Sequence, residues 1–176
     1  MIDERHSKYL GTAALSDHDY IHCAIDRADL IINIGHDVVE KPPFIMEPGG
    51  KKVVHVSYFP ATIDDIYFPT HEVVGDLEHS VGQMAQNLVP SNGWDLSYFE
   101  RIQAEIRNHV QEKSDDNGFP LIPQRIVADV RSAVSSNGIV SLDNGMYKIW
   151  FARNYIAHEP NTLLLDNALA TMGAGL

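Results

Sequence analysis

Leu30-Ile31-Ile32-Asn33-Ile34 is an almost continuous apolar run that stops at Gly35. A run this short and this apolar suits a strand buried on both faces, the kind found in parallel sheets. Lys51-Lys52-Val53-Val54-His55-Val56 is a second run of the same kind, and Glu72-Val73-Val74-Gly75 is a shorter third. Helical spacing lies on either side of them. Ser16 or Asp17 caps a predicted helix to about Ala28, with Tyr20, Ile21, Ala24, Ile25 and Ala28 as its apolar stripe. Asp76 opens another to about Leu88, with Leu77, Val81, Met84, Ala85 and Leu88 on one side. Strands alternating with helices imply parallel strands joined by crossovers, an α/β class fold.

Proline and glycine punctuate this half. Lys41-Pro42-Pro43-Phe44 through Pro48-Gly49-Gly50 reads as a loop. Ser57 to Thr70 carries Pro60 and Pro69 and reads as irregular, with at most one helical turn over Ala61 to Ile66. A boundary is expected at Val89 to Gly93. Trp94 to Lys113 then reads as a long amphipathic helix, with Leu96, Phe99, Ile102, Ile106 and Val110 as its stripe. Ser114 to Pro120 stops it. A second unit follows: a helix from Pro123 to Ser135, a strand at Gly138 to Leu142, a helix from Gly145 to Ala157 and a buried strand at Thr162 to Leu165. The glycine-rich stretch from Ala168 to Leu176 starts a further helix. Neither half closes a sheet by itself, so the chain reads as a piece of a larger protein. A cut sheet leaves strand edges and apolar faces open, so dimers or higher assemblies, or marginal stability, are expected.

Charge and composition narrow the partners. Lys and Arg number 13 against 24 Asp and Glu, for a formal net charge of −11. A surface this acidic repels nucleic acid and anionic lipid. Cys23 is the single cysteine, so no intramolecular disulfide can form. No apolar run reaches the roughly 18 residues that span a bilayer. The charged start, Met1 to His6, is not a secretory signal, and a cytoplasmic location is expected.

Several constellations could carry chemistry. His18 and His22 share a helix face with Asp26 beyond them, a conceivable zinc site. A solvated face is the better reading, because a third ligand and a general-base glutamate are missing. Cys23 sits beside the apolar stripe and reads as a buried inert thiol. Asp64-Asp65 reads as a solvated pair, and Gly173-Ala174-Gly175 lacks the lysine and fuller glycine pattern of a phosphate loop. Two places are better. Gly35-His36-Asp37 and Asp143-Asn144-Gly145 each follow the end of a strand, where ligands bind in open α/β sheets. At the second, backbone N–H groups of a starting helix could face a phosphate. By spacing alone an ordinary Asn-Gly turn is the commoner outcome.

Three segments then resemble one family. Ala28 through Glu40 is similar to the middle domain of acetolactate synthase large subunits. Asp143-Asn144-Gly145-Met146-Tyr147-Lys148-Ile149-Trp150-Phe151-Ala152-Arg153-Asn154-Tyr155 resembles the start of their thiamine-diphosphate-binding domain, and Asn167 through Gly173 the segment after it. The order and spacing are the family's, and the match looks closest to the catabolic branch. The resemblance implies a Rossmann-like parallel sheet, the later part of a middle domain, over residues 1–90. A connecting helix and linker follow over 91–122, and a partial thiamine-diphosphate-binding α/β domain over 123–176. It implies cofactor contacts at Asn144, Gly145, Met146, Tyr147, Ala170 and Met172, with no catalytic or metal-ligating residue in the chain. Ala168 and Ala170 stand where relatives often have glycine. Trp150 and Arg153 match family positions and read first as packing and ion pairing. His36, Ser57 and Tyr58 replace the arginine and acidic residues of flavin-carrying relatives, which counts against FAD.

For the intact relative the resemblance implies thiamine diphosphate and Mg2+, a small 2-oxo acid substrate, a homo-oligomer, and condensation of two pyruvates to 2-acetolactate and carbon dioxide. The activating glutamate and the metal motif lie outside these 176 residues, so the chain alone is expected to be inactive. Two other readings stand beside this one: a non-catalytic Rossmann-like scaffold or nucleotide-binding module, and a piece of a related carboligase or decarboxylase.

Overall fold

A computed structural model describes residues 2–13, 20–35, 46–165, 172, 173 and 175. By contact the chain divides into two units, Ser16–Phe99 on one side and Met1–Leu15 with Glu100–Leu176 on the other.

The unit Ser16–Phe99 is built on three parallel strands: β1 (Leu30–Ile34), β2 (Lys52–Ser57) and β3 (His71–Val74), in the order β1-β2-β3. Ile32 pairs with Val54, and Val56 with Val73. Strand alternation puts Ile31, Asn33, Val53 and His55 on one face. That face packs on Met46 and Tyr67, both almost fully buried, with Ala61 beside them. The irregular stretch after β2 therefore supplies core residues. It contains no helical turn at 61–66; Asp64 and Tyr67 form a tight bridge there instead.

A polar cluster sits inside this core. The Tyr67 hydroxyl lies 2.8 Å from His55 Nδ1 and accepts from Asn33 Nδ2 at 3.2 Å. His55 Nε2 lies 3.0 Å from the Phe59 carbonyl, which can only accept. Nε2 is thus the donor, and in the neutral ring Nδ1 takes the Tyr67 proton.

The opposite face corrects the expectation of strands buried on both sides. Leu30, Ile32 and Ile34 are 44%, 44% and 51% exposed, and every residue of β3 is exposed. The reason is position: β1 and β3 are the two edges of a three-stranded sheet. Among the described elements, α2 (Leu77–Asn87) packs on the central strand β2, where Val56 is fully buried. Asp76 caps α2, its carboxylate accepting from His79 N at 2.8 Å. Gly35 ends β1 at φ +63°, where a side chain would be strained and would press on Leu77.

Helix α1 (Tyr20–Arg27) precedes β1 and buries Ala24. The expected caps Ser16 and Asp17, and His18, His36, Asp37 and Lys41 to Phe44, lie outside the described residues. Cys23 is exposed, contrary to its reading as a buried thiol. A neighbour of Ala24 is rotated about 100° around the helix, off the packed side.

In the other unit, α3 (Ser97–Gln111) runs on from the first and is shorter than the predicted 94–113. It is followed by α4 (Pro123–Ala133), β4 (Val140–Leu142), α5 (Met146–Asn154) and β5 (Leu163–Leu165). Pro123 opens α4, where its missing N–H is harmless. Strands β4 and β5 pair in parallel, and α4 packs on α5. Val127, Phe151 and Tyr155 form the core, with Trp150, Leu142 and Leu163 against it. Leu164 is 44% exposed, so β5 is half-buried rather than buried. The first residues are strapped to this unit: Ala157 N donates to Glu4 at 2.8 Å, and Gln103 Nε2 donates to the carbonyls of Ser7 and Tyr9. Both units are α/β arrangements with parallel strands.

Candidate functional site

The carboxyl ends of β4 and β5 lie side by side, Leu142 opposite Leu165. Asp143, Asn144 and Gly145 leave β4 there and lead directly into α5. This is the edge where ligands sit in open α/β sheets. The first turn of α5 has no side-chain cap, so its leading N–H groups remain available to an anion.

Asp143 organises the edge. Its Oδ1 accepts from Asn144 N at 2.8 Å and from Gly173 N at 2.6 Å. Gly175 also lies against this turn: a Cβ there would come within 2.7 Å of the backbone nitrogen of Asp143 and 3.1 Å of Leu142 C. Two segments 30 residues apart are thereby brought together.

Of the six residues implied as cofactor contacts, Asn144, Gly145, Met146 and Tyr147 lie in and just after the β4–α5 turn. Met172 adjoins Gly173, which Asp143 holds at the same edge. Ala170 lies outside the described residues. Met146 and Met172 are 75% and 73% exposed, and Tyr147 is also exposed. Apolar surface at such an edge is available for contact. The Tyr147 hydroxyl donates weakly to the Asn144 carbonyl at 3.4 Å.

Lys148 was not singled out by its sequence context. Its ammonium reaches Asn144 Oδ1 at 3.3 Å, which sets a cation beside the uncapped helix start. The i,i+4 spacing from Asn144 was the available signal. Trp150 packs in the core as expected. Among the described residues no group of three His, Cys, Asp or Glu could hold a metal ion, and no helix is long and apolar enough to cross a membrane. Asp64 Oδ1 accepts from Ile66 N and Tyr67 N, so its role is to hold a turn.

Residues 1–84 match the family described as thiamine pyrophosphate enzyme, central domain. Similarity to whole relatives runs beyond the central domain. The chain is 26% identical over 174 residues to an acetolactate synthase of Bacillus subtilis (strain 168), covering 96% of this chain and 30% of the relative. It is 27% identical over 175 residues to a catabolic acetolactate synthase of Raoultella terrigena, covering 97% of this chain and 31% of the relative. The chain thus spans about 30% of the length of the curated relatives it matches. The resemblance seen in Ala28 to Glu40 and Asp143 to Tyr155 is to proteins of the same name, and the parallel β1-β2-β3 sheet lies within the residues that match the central-domain family.

Proposed function

We propose that this chain is part of an acetolactate synthase-like enzyme that uses thiamine diphosphate and Mg2+ to condense two pyruvates to 2-acetolactate and carbon dioxide. The similarity to acetolactate synthases over 96% of the chain is the observation that carries this reading. In it, residues 1–90 are the later part of a middle domain, 91–122 a connection, and 123–176 the start of a cofactor domain. The whole enzyme is a cytoplasmic homo-oligomer.

The β4–α5 edge fits one end of such a cofactor. A diphosphate is an anion, and the edge offers an uncapped helix start with the Lys148 ammonium beside it. Backbone N–H groups of Gly145, Met146 and Tyr147 would hold the diphosphate, because Met146 has no polar side chain to offer. Met172 and Ala170 would bear on the pyrimidine side. The cofactor supplies the carbanion chemistry when bound. Gly175 lets the Gly173–Gly175 segment lie against the Asp143 turn, and Asp143 fixes that segment through Gly173. The chain's share of the work is positioning; the isolated chain is inactive.

Calorimetric titration of the chain with thiamine diphosphate and Mg2+, with FAD and ADP as controls, tests this. Binding of thiamine diphosphate that Lys148→Met weakens at least fivefold is expected. Binding of ADP or FAD with none of thiamine diphosphate would favour a nucleotide-binding scaffold instead. Acetolactate formed by the pure chain would overturn the positioning role.

A further inference from the structure

We propose that the half-open cavity lined by residues 4, 5 and 9–11, α3, α4 and the end of α5 binds a small organic anion, a carboxylate or a phosphate monoester, that also carries a hydrogen-bond donor. The cavity measures about 570 Å3, a size typical of small-molecule sites. Its lining concentrates positive charge in a strongly acidic chain. Four of the seven arginines line it, Arg5, Arg107, Arg131 and Arg153, against one carboxylate, Glu4.

Two of these charges, on Arg107 and Arg131, meet no carboxylate among the described residues. Arg5 is paired with Asp3 at 2.7 Å. Arg131 is held by neutral acceptors: the Tyr155 hydroxyl at 2.5 Å and the carbonyls of Val134 and Ser135 at 2.5 and 2.8 Å. It is thereby fixed in place without a carboxylate in ion-pair range among the described residues. Arg107, exposed on α3, makes no hydrogen bond or ion pair among them either. Glu4 is the one carboxylate of the lining; one of its oxygens accepts from Ala157 N, and burial pushes its pKa up. A guanidinium wall of this kind suits a planar carboxylate or a phosphate.

A second observation points the same way. Asn154 donates from Nδ2 to the Val110 carbonyl at 3.1 Å. Only its NH2 end can face a carbonyl, so the orientation of the amide is settled. Its Oδ1 is buried in the cavity wall and has no donor among the described residues. A ligand hydroxyl or amine would satisfy it. Ile106, Val110 and Ile156 add an apolar wall for the ligand's body. The site is separate from the β4–α5 edge: Arg153 and Asn154 close α5, while Met146 and Tyr147 open it, about 10 Å apart along the helix at 1.5 Å per residue.

The test is calorimetric titration of the chain with benzoate, 4-aminobenzoate and phenyl phosphate, with benzyl alcohol as the neutral control. The anions are expected to bind at least tenfold more tightly than the alcohol, and 4-aminobenzoate more tightly than benzoate. The tighter of carboxylate and phosphate identifies the headgroup. Arg107→Gln is the main variant, because Arg107 has no partner among the described residues whose loss would disturb folding. It should weaken anion binding at least fivefold with an unchanged melting temperature; Arg153→Gln is the second variant. Anions that bind no better than benzyl alcohol, or that bind both variants as they bind the parent chain, would overturn the proposal.

Discussion

The carboxylate of Asp143 accepts the backbone N–H of Gly173 at 2.6 Å, across 30 residues of sequence. The same oxygen holds Asn144 N at 2.8 Å. One side chain therefore fastens the turn after β4 to the segment after β5. Asp143→Ala removes both bonds. Hydrogen bonds to a charged group contribute about 1.5–3 kcal/mol each when well shielded, and Asp143 is half-buried. A loss of about 1–2 kcal/mol in urea unfolding is expected. Amide exchange at Gly173 should speed up, whereas exchange in α4 should rise only as global stability falls.

Two glycines are expected to respond with opposite signs. A Cβ on Gly175 would meet the backbone of Asp143 and Leu142, which cannot swing aside as a side chain tip can. Gly175→Ala should cost about 1–3 kcal/mol, as overpacking does. Gly82 lies inside α2 with nothing within 4 Å of an added Cβ. Gly82→Ala should stabilise by about 0.5–1 kcal/mol, because alanine loses less backbone freedom in a helix. Parallel thermal unfolding of the two variants checks both signs.

The exposed face of β1 bears on self-association. Ile32 is 44% exposed between Leu30 and Ile34 on an edge strand. Ile32→Thr keeps a β-branched residue, so stability should change by no more than about 0.5 kcal/mol. Sedimentation should show weaker self-association at equal concentration. Unchanged association would remove this face from the contact.

The class of fold was legible because apolar runs and helical stripes are local signals. Leu30–Ile34, the Asp76 cap and Pro123 at the head of α4 each announce an element by themselves. What was not legible depends on contacts far apart in sequence. Whether both faces of β1 are covered depends on how many strands and helices surround it, and Ile32 looks the same in either case. Met46 and Tyr67 lie in stretches broken by proline, so nothing local marks them as core. The place of the β4–α5 turn was readable from strand-to-helix order. Its fastening to Gly173 was not, since a hydrogen bond over 30 residues leaves no spacing pattern.

Tyr67 tests the buried polar cluster. Tyr67→Phe keeps the ring against Met46 and Val53 but removes the hydroxyl shared by His55 and Asn33. Buried His55 and half-buried Asn33 lose a bond at once, though Asn33 keeps its contact with Met46 Sδ at 3.1 Å. A destabilisation of about 1–3 kcal/mol is expected. The double variant Tyr67→Phe, His55→Leu should recover part of it, because replacing both partners removes the unsatisfied atom.

Glu4 should make stability depend on pH in a direction opposite to most carboxylates. Burial raises its pKa above the usual 4.5, and this outweighs the opposing effects of the Ala157 N–H and the Tyr9 side chain. A raised acid pKa means the folded state binds more protons than the unfolded one between 4.5 and the folded value. Stability from this group is therefore fully present below about 4.5 and is lost as pH rises through the folded pKa. Glu4→Gln keeps an oxygen for Ala157 N and removes the ionisation. The variant should gain stability relative to the parent as pH rises from 4 to 7, and the difference should level off once Glu4 is fully charged. His158 contributes with the other sign and must be held constant in the comparison. Its pKa is lowered by burial and by the Arg131 and Arg5 charges. Its contribution is present above about 6.5 and is lost as pH falls below that. Urea unfolding of parent and Glu4→Gln at matched pH values isolates the Glu4 effect, since His158 is common to both. A difference that shrinks as pH rises would mean that Glu4 is stabilised in its charged form, with its bonds to Ala157 and Tyr9 outweighing burial.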